Sequence, residues 1–164
     1  MLRKTMFAGA VALAAISTVA VAAVTFDSAS GTGFVGKGDV QLALGLNNAQ
    51  VQNTPVNFTY SSTSVSEVSW DCTNANNEHV QQRSRTTTTS TQGVVSSVAR
   101  VKNQITGYNL TGWSGTVSNT SDTDGPALNS CPANPSTFYL SSPAGDPVVT
   151  VLGGGLSVNG VPIQ

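Results

Sequence analysis

Polar and apolar side chains alternate along two stretches near the middle of the chain. Phe58 and Tyr60 fall on alternate positions, and Val68, Trp70 and Cys72 repeat the alternation further on. A period of two is typical of β-strands with one buried face. We therefore predict two half-buried strands, separated by a bulge or turn in the serine-rich stretch between them. Trp70 and Cys72 share a parity, so we expect Cys72 to lie in the core beside the indole.

A long central segment follows over residues 79–113. Gly93 divides this segment. A glycine between two strand patterns predicts a turn, so we expect a hairpin whose strands cover residues 83–91 and 94–105.

The clearest turn signal lies near the end of the sequence, at Asn159 and Gly160. Asn-Gly is the preferred pair for a two-residue type I′ hairpin, because both positions need a positive φ. Pro162 follows in the second strand and has no backbone N–H, so we expect that strand to lie at a sheet edge.

Helix signals are confined to residues 39–45, where Asp39 is a plausible N-cap and Gly45 a plausible stop. The same residues also fit a strand. Residues 119–135 have the composition of a loop. The predicted fold class is therefore all-β: a single small antiparallel β-sandwich or barrel-like domain, with at most one short helix near residues 39–45.

The N-terminal residues have the pattern of a secretory signal peptide. Arg3 and Lys4 precede an uncharged run over residues 6–21, and small residues at Ala22 and Ala23 offer a cleavage site. The alternative is a retained anchor, but a spanning helix needs about 20 apolar residues and this alanine-rich run has about 16. We expect residues 1–22 to be removed and residues 23–164 to form one β-rich domain outside the cell, with no further membrane contact.

Composition limits the kinds of partner that this domain can bind. Charged residues make up only 9% of the chain, and loss of Arg3 and Lys4 leaves five basic residues against eight acidic ones. A slightly acidic domain has no electrostatic footprint for nucleic acid or anionic lipid. Its few charges argue against a cytosolic enzyme, and we expect no cofactor.

The two cysteines are Cys72 and Cys131. An even number of cysteines in an exported chain favours a disulfide, and closing a loop of about 60 residues contributes about 4 kcal/mol in the chain-entropy model. The alternatives are two buried thiols or a redox pair, although no CxxC spacing supports the latter.

Two blocks of sequence resemble a known family. They are GFVGKGDVQLALGLNNAQVQ at residues 33–52 and ARVKNQITGYNL at residues 99–110. Both are similar to blocks of a family of secreted actinobacterial proteins with no assigned function. The resemblance covers most of residues 23–164. It implies an extracellular location and a shared fold, and it assigns no activity and no functional residues.

Catalytic and metal-binding patterns are weak. His79 is the only histidine, and no GxSxG turn offers it a serine nucleophile. Glu67 and Asp71 are about 13 Å apart on a strand, too far for a glycosidase pair. Asp122 and Asp124 precede a glycine as in a calcium loop, but no closing glutamate follows. We interpret them as part of a turn, with a weak calcium site as the alternative.

The remaining binding candidates are Tyr108 and Trp113, which lie among the glycines of residues 107–115. Aromatic rings beside small residues can stack on sugars. The parity of Tyr108 favours the core, whereas Trp113 has room to be exposed. Residues 84–91 are rich in threonine and resemble an ice-binding row, but that needs matching rows on adjacent strands and residues 94–102 offer none.

These patterns favour a secreted, non-catalytic protein of the extracellular space or cell envelope that binds an unidentified ligand or envelope component. A secreted hydrolase is one alternative. A protease inhibitor or effector is the other, with residues 130–135 as its only candidate loop.

Overall fold

The computed structural model describes residues 24–133 and 137–164. The predicted signal peptide lies outside the described residues. The elements in chain order are β1 (Thr25–Asp27), β2 (Thr32–Gly36), α1 (Lys37–Leu44), α2 (Asn48–Val51), β3 (Phe58–Asn74), β4 (His79–Val101), β5 (Gln104–Asp124), β6 (Phe138–Leu140), β7 (Val148–Val158) and β8 (Val161–Pro162).

The strands form one antiparallel sheet that curls into a half-barrel, which confirms the predicted all-β, barrel-like class. The strand order is β1-β2-β5-β4-β3-β7-β8, and β6 pairs with β3 beyond the end of β7. The strand that contains Pro162 lies at one edge of this sheet, as the missing N–H predicts.

The prediction of a hairpin at Gly93 is wrong, because β4 runs through that residue without a turn. The hairpin lies instead at Lys102 and Asn103, where φ is 46° and 64°. Gly93 sits beside a register shift between β4 and β5, and a Cβ at this position would lie 2.5 Å from the Ser114 hydroxyl. The glycine therefore permits a close approach of two strands, which is its second common role in a sheet.

The two strands predicted around Tyr60 and Trp70 are one continuous strand, β3. It pairs with β4 without a register shift from Phe58 to Thr73. Alternate residues therefore keep the same face throughout. We call the face that bears Phe58 and Trp70 the inner face, and the face that bears Val65 the outer face. The expected bulge lies on β7, whose pairing with β3 shifts between Thr63 and Ser64.

The loop predicted from residue 119 begins only after Asp124, because residues 119–124 belong to β5. Both faces of the sheet carry polar side chains in this region. Thr86 bonds Thr123, and Thr88 bonds Ser121, across the strands. A segment with the composition of a loop therefore forms a strand, and its hydroxyls bond those of the neighbouring strand β4.

The main core lies at the opposite end of the inner face, against the two helices. Its buried members are Val35, Val40, Val51, Phe58, Val94, Ile105, Tyr108, Leu110, Leu156 and Val158. The short helix predicted near residues 39–45 is present as α1, and Gly45 ends it with a φ of 65°. The N-cap, however, is Gly36 rather than Asp39. The second helix, α2, begins with a capping box between Asn47 and Gln50 that the sequence analysis missed.

Cys72 and Cys131 form a disulfide with a Cα–Cα distance of 5.9 Å, which confirms the predicted pairing. Cys72 and Trp70 are buried on the same face, as their parity predicts. They lie outside the main core cluster, so the disulfide holds a second buried region at the far end of β3.

No helix in the described part of the chain is long and apolar enough to cross a membrane.

Candidate functional site

Three aromatic side chains meet on the inner face beside the main core. Phe26 reaches them from β1, Tyr60 from β3 and Trp113 from β5. The Phe26 ring lies 5.3 Å from that of Tyr60 and 5.9 Å from that of Trp113, and the last two are 6.0 Å apart, centroid to centroid. These separations are those of favourable aromatic contacts, and all three side chains are only partly buried.

An open groove of about 430 Å³ lies beside this cluster. We call it the aromatic groove; its lining residues are Val24, Phe26, Ser28, Tyr60, Gly154, Gly155, Leu156, Ile163 and Gln164. None of them is charged. The groove thus offers two aromatic rings, a glycine wall and a few neutral polar groups, which suits a neutral ligand with both apolar and hydroxyl-bearing faces.

The glycines of β7 allow the groove to form. A Cβ at Gly154 would overlap the Tyr60 hydroxyl, so only glycine leaves room for that side chain. Gly155 lies opposite Ser61, so a Cβ there would point to the outer face, where it would meet no atom within 4 Å. Beyond the glycines, β8 pairs with β7 only at Ser157 and Val158. The far edge of β7 at the glycines therefore has no strand partner among the described residues.

Trp113 lies directly behind the groove and is half-buried rather than exposed. It is opposite Val94 on the inner face. The turn at Gly31 packs against its indole, since a Cβ there would lie 2.8 Å from the ring. The small neighbours of Trp113 along the chain predicted space for a ligand, whereas Gly31, from the turn between β1 and β2, covers the ring. Trp113 supports Phe26 and Tyr60, which themselves line the groove.

Replacing Trp113 with alanine is therefore expected to lower the free energy of unfolding by about 2 to 3 kcal/mol, because it removes two aromatic contacts and leaves a cavity. Chemical denaturation of the variant measures this. A loss below about 0.5 kcal/mol would mean that the indole does not hold the cluster together.

Tyr108 lies in the core and offers no surface to a ligand. It is 2% exposed, and its ring centroid lies 5.5 Å from that of Phe58. Its hydroxyl is buried and has no hydrogen-bond partner among the described residues. Burial raises the pKa of the phenol, and the positive charge of Arg100 opposes that rise only partly.

Alkaline pH is expected to destabilise the fold through Tyr108. Its pKa is higher in the folded chain than in the unfolded chain, so the folded form holds the proton longer, and stability falls as pH rises above about 10. In Tyr108→Phe this fall should be smaller, and stability at pH 7 should change by less than about 1 kcal/mol, because no hydrogen bond is lost. Thermal melts at pH 7 and pH 10.5 test this; equal alkaline losses in both proteins would contradict it.

The threonine-rich part of β4 has matching hydroxyl rows on both neighbours. Ser61 bonds Thr91 across β3 and β4 on the outer face, and the Thr86–Thr123 bond described above lies on the inner face. Residues 94–102 were the expected neighbours of this row, but its neighbours are β3 and the far half of β5. These hydroxyls bond one another, so their immediate role is to join the strands. On the inner face, these hydroxyls form a polar surface that continues beyond the aromatic groove.

The acidic candidates do not assemble into a metal site in the described part of the chain. Asp122 and Asp124 lie on β5 and are exposed, and Asp124 is opposite Arg85 on β4. Within residues 24–133 and 137–164, no three His, Cys, Asp or Glu side chains form a group that could hold a metal ion.

His79 and Glu67 lie on neighbouring strands as separate groups. His79 is exposed at the start of β4 and shares a 3.2 Å hydrogen bond with Thr73. Glu67 lies 3.9 Å from Arg83 in an exposed ion pair. The described residues thus show no hydrogen bond between His79 and a serine or carboxylate.

Trp113 was predicted from the sequence as a binding residue, whereas Phe26, Tyr60 and the glycines of β7 were not. Gly153, Gly154 and Gly155 form a run inside a strand, which was an available signal for a close backbone approach. No protein-family model matches the chain, and no curated protein or solved structure matches it either.

Proposed function

We propose that the chain is an exported, non-catalytic protein of the extracellular space or cell envelope, and that it binds a neutral glycan in the aromatic groove. The observation that carries the proposal is the groove itself: two partly buried rings, Phe26 and Tyr60, beside a glycine wall with no charged side chain. Sugars stack their C–H faces on such rings and bond their hydroxyls to neutral polar groups and free backbone.

Four further features support this proposal. The N-terminal pattern is that of a signal peptide, and the disulfide is compatible with an oxidising compartment. Two sequence blocks resemble secreted actinobacterial proteins. In addition, hydroxyl-bearing side chains continue the inner face beyond Gly154, which suits an extended chain of sugars more than a compact ligand.

Export is tested by the start of the released protein. We expect the form in the culture supernatant to begin at Ala23 or Val24, because the small residues place the cleavage site there. N-terminal sequencing or intact mass measurement decides this. A released protein that still begins at Met1, or a chain retained in the membrane fraction through residues 6–21, would contradict it.

Glycan binding is tested by co-sedimentation of the purified mature protein with insoluble envelope from the producing cell. The disrupting variant is Phe26→Ala, which removes one of the two rings that line the groove. Its matched control is Tyr139→Ala, because Tyr139 is an exposed aromatic side chain on β6, outside the groove.

We expect the control, like the unmodified protein, to sediment with the envelope and to be released by soluble envelope polysaccharide. We expect Phe26→Ala to stay in solution. Equal sedimentation of both variants would refute the groove as the site. A hydrolytic activity of the purified protein that is lost in His79→Ala would favour the hydrolase alternative instead.

A further inference from the structure

The strand β7 leaves one edge of the sheet uncovered. β3 pairs with its other edge from Val148 to Val158, and β8 reaches only Ser157 and Val158. Residues 148–155 therefore present a row of backbone groups that has no strand partner in the part of the chain that the structure describes. A free edge of this kind is a template for pairing with another chain.

The other edge strands of the sheet are protected against such pairing. β1 is three residues long and ends in the charged Asp27, and β8 is two residues long and contains Pro162. Short length, charges and prolines are the usual protection of a sheet edge. Residues 148–155 contain neither a charged residue nor a proline. The contrast indicates that this edge is free to take a partner.

Four apolar side chains of β7 project into solvent at this edge. Each of them is between 60% and 70% exposed, and they are Val148, Val149, Val151 and Leu152. The register with β3 places Val149 and Val151 on the inner face, and Val148 and Thr150 on the outer face. Leu152 lines a pocket of the outer face together with Val148 and Thr150. A strand that pairs with this edge must therefore offer apolar side chains on both of its faces.

The same strand of a second copy meets this requirement. Thr150 has two apolar residues on either side, in the sequence Val-Val-Thr-Val-Leu of residues 148–152. Antiparallel pairing of two copies about Thr150 places Val149 of each copy opposite Val151 of the other. No charged residue of the strand opposes this contact. Leu152, the extra residue at the register shift with β3, lies beyond the two central valine pairs.

We propose that two copies of the chain associate through residues 148–152 of β7 and form a dimer whose sheet is continuous across both. The contact is isologous and occupies the free edge of both copies, so assembly ends at two. Strands of this length make an interface at the low end of the specific range, about 1,000 Å², and we expect a dissociation constant of about 10 µM. The proposal goes beyond glycan binding and does not rest on it.

Sedimentation velocity of the purified mature protein tests the association. Between about 1 and 200 µM, we expect the protein to change from mostly monomer to mostly dimer, with no larger species. A protein that remains monomeric at the highest concentration would overturn the proposal. A series of species larger than the dimer would contradict a closed contact at one edge.

The variant Val149→Lys with Val151→Lys tests whether β7 is the interface. Because both side chains are exposed, we expect its melting temperature at about 1 µM to stay within about 2 °C of the unmodified protein's. We expect it to be monomeric throughout the concentration range, since four ammonium groups would meet across the contact. A dimer of undiminished stability would place the interface elsewhere and refute the proposal.

The matched control is Val101→Lys with Val117→Lys. These valines are also exposed, but they lie on the interior strands β4 and β5. We expect this variant to dimerise like the unmodified protein. If it is monomeric as well, the loss of the dimer is a general effect of added charge, which would contradict a specific contact at β7.

Opposite charges on β7 test the register of the contact. In Val149→Lys with Val151→Glu, the ammonium group of each copy would face the carboxylate of the other. We expect this variant to dimerise at low salt with a dissociation constant at least about tenfold lower than that of the two-lysine variant. Equal dissociation constants would contradict antiparallel pairing about Thr150.

Discussion

Replacing Trp70 with alanine is expected to lower the free energy of unfolding by about 3 to 5 kcal/mol. The indole is 2% exposed and lies on the inner face of β3 near the disulfide. Removing it leaves a large cavity in the second buried region, which holds few other large apolar side chains to fill the space. Equilibrium denaturation with a two-state fit measures the loss.

Trp70→Phe is the control for this prediction. The indole Nε1 is buried and donates no hydrogen bond among the described residues. Replacing the indole with a phenyl ring therefore removes no partner, and the loss should be at most about 1.5 kcal/mol. If Trp70→Ala also lowered the free energy of unfolding by less than about 1.5 kcal/mol, the far end of β3 would contribute little to stability.

Loss of the disulfide is the second large effect. The bond closes a loop of 59 residues between Cys72 and Cys131, and the chain-entropy model assigns about 4 kcal/mol to such a loop. For a domain of this size, that loss corresponds to a fall of more than about 10 °C in melting temperature. The reduced protein measures the contribution of the bond alone, whereas Cys72→Ala adds the cavity left by a buried side chain.

An intact wild-type protein should show no free thiol after unfolding in denaturant. Two thiols per chain under non-reducing conditions would contradict the pairing. A reduced protein that melts within about 2 °C of the oxidised one would contradict its contribution to stability. Because Trp70 lies two residues from Cys72, the effects of Trp70→Ala and reduction should not be additive.

Local chemistry determines the features that the sequence analysis predicted correctly. The Asn159-Gly160 hairpin forms because its turn needs positive φ at both residues, and their φ values are 48° and 82°. The inward orientation of Trp70 and Cys72 follows from a strict two-residue period over an unbroken strand. The pairing of Cys72 with Cys131 was favoured by the even cysteine count together with the expected export.

Long-range packing determines the features that it missed. Gly93 has the same local signature as a turn glycine, but the nearby Ser114 side chain from β5 decides its role. Residues 119–124 are strand because β4 supplies partners for their backbone and hydroxyls. The aromatic groove combines β1, β3 and β7, so no single stretch of sequence contains it.

Binding in the aromatic groove is the central claim, and a fluorescence titration tests it most directly. The chain has two tryptophans, so Trp70→Phe leaves Trp113 as the only indole, in contact with both groove rings. Soluble neutral envelope polysaccharide should change this emission saturably, also when Tyr139→Ala is added. With Phe26→Ala the change should disappear. Emission that stays constant in the Trp70→Phe protein, or that saturates equally with Phe26→Ala, would contradict the account.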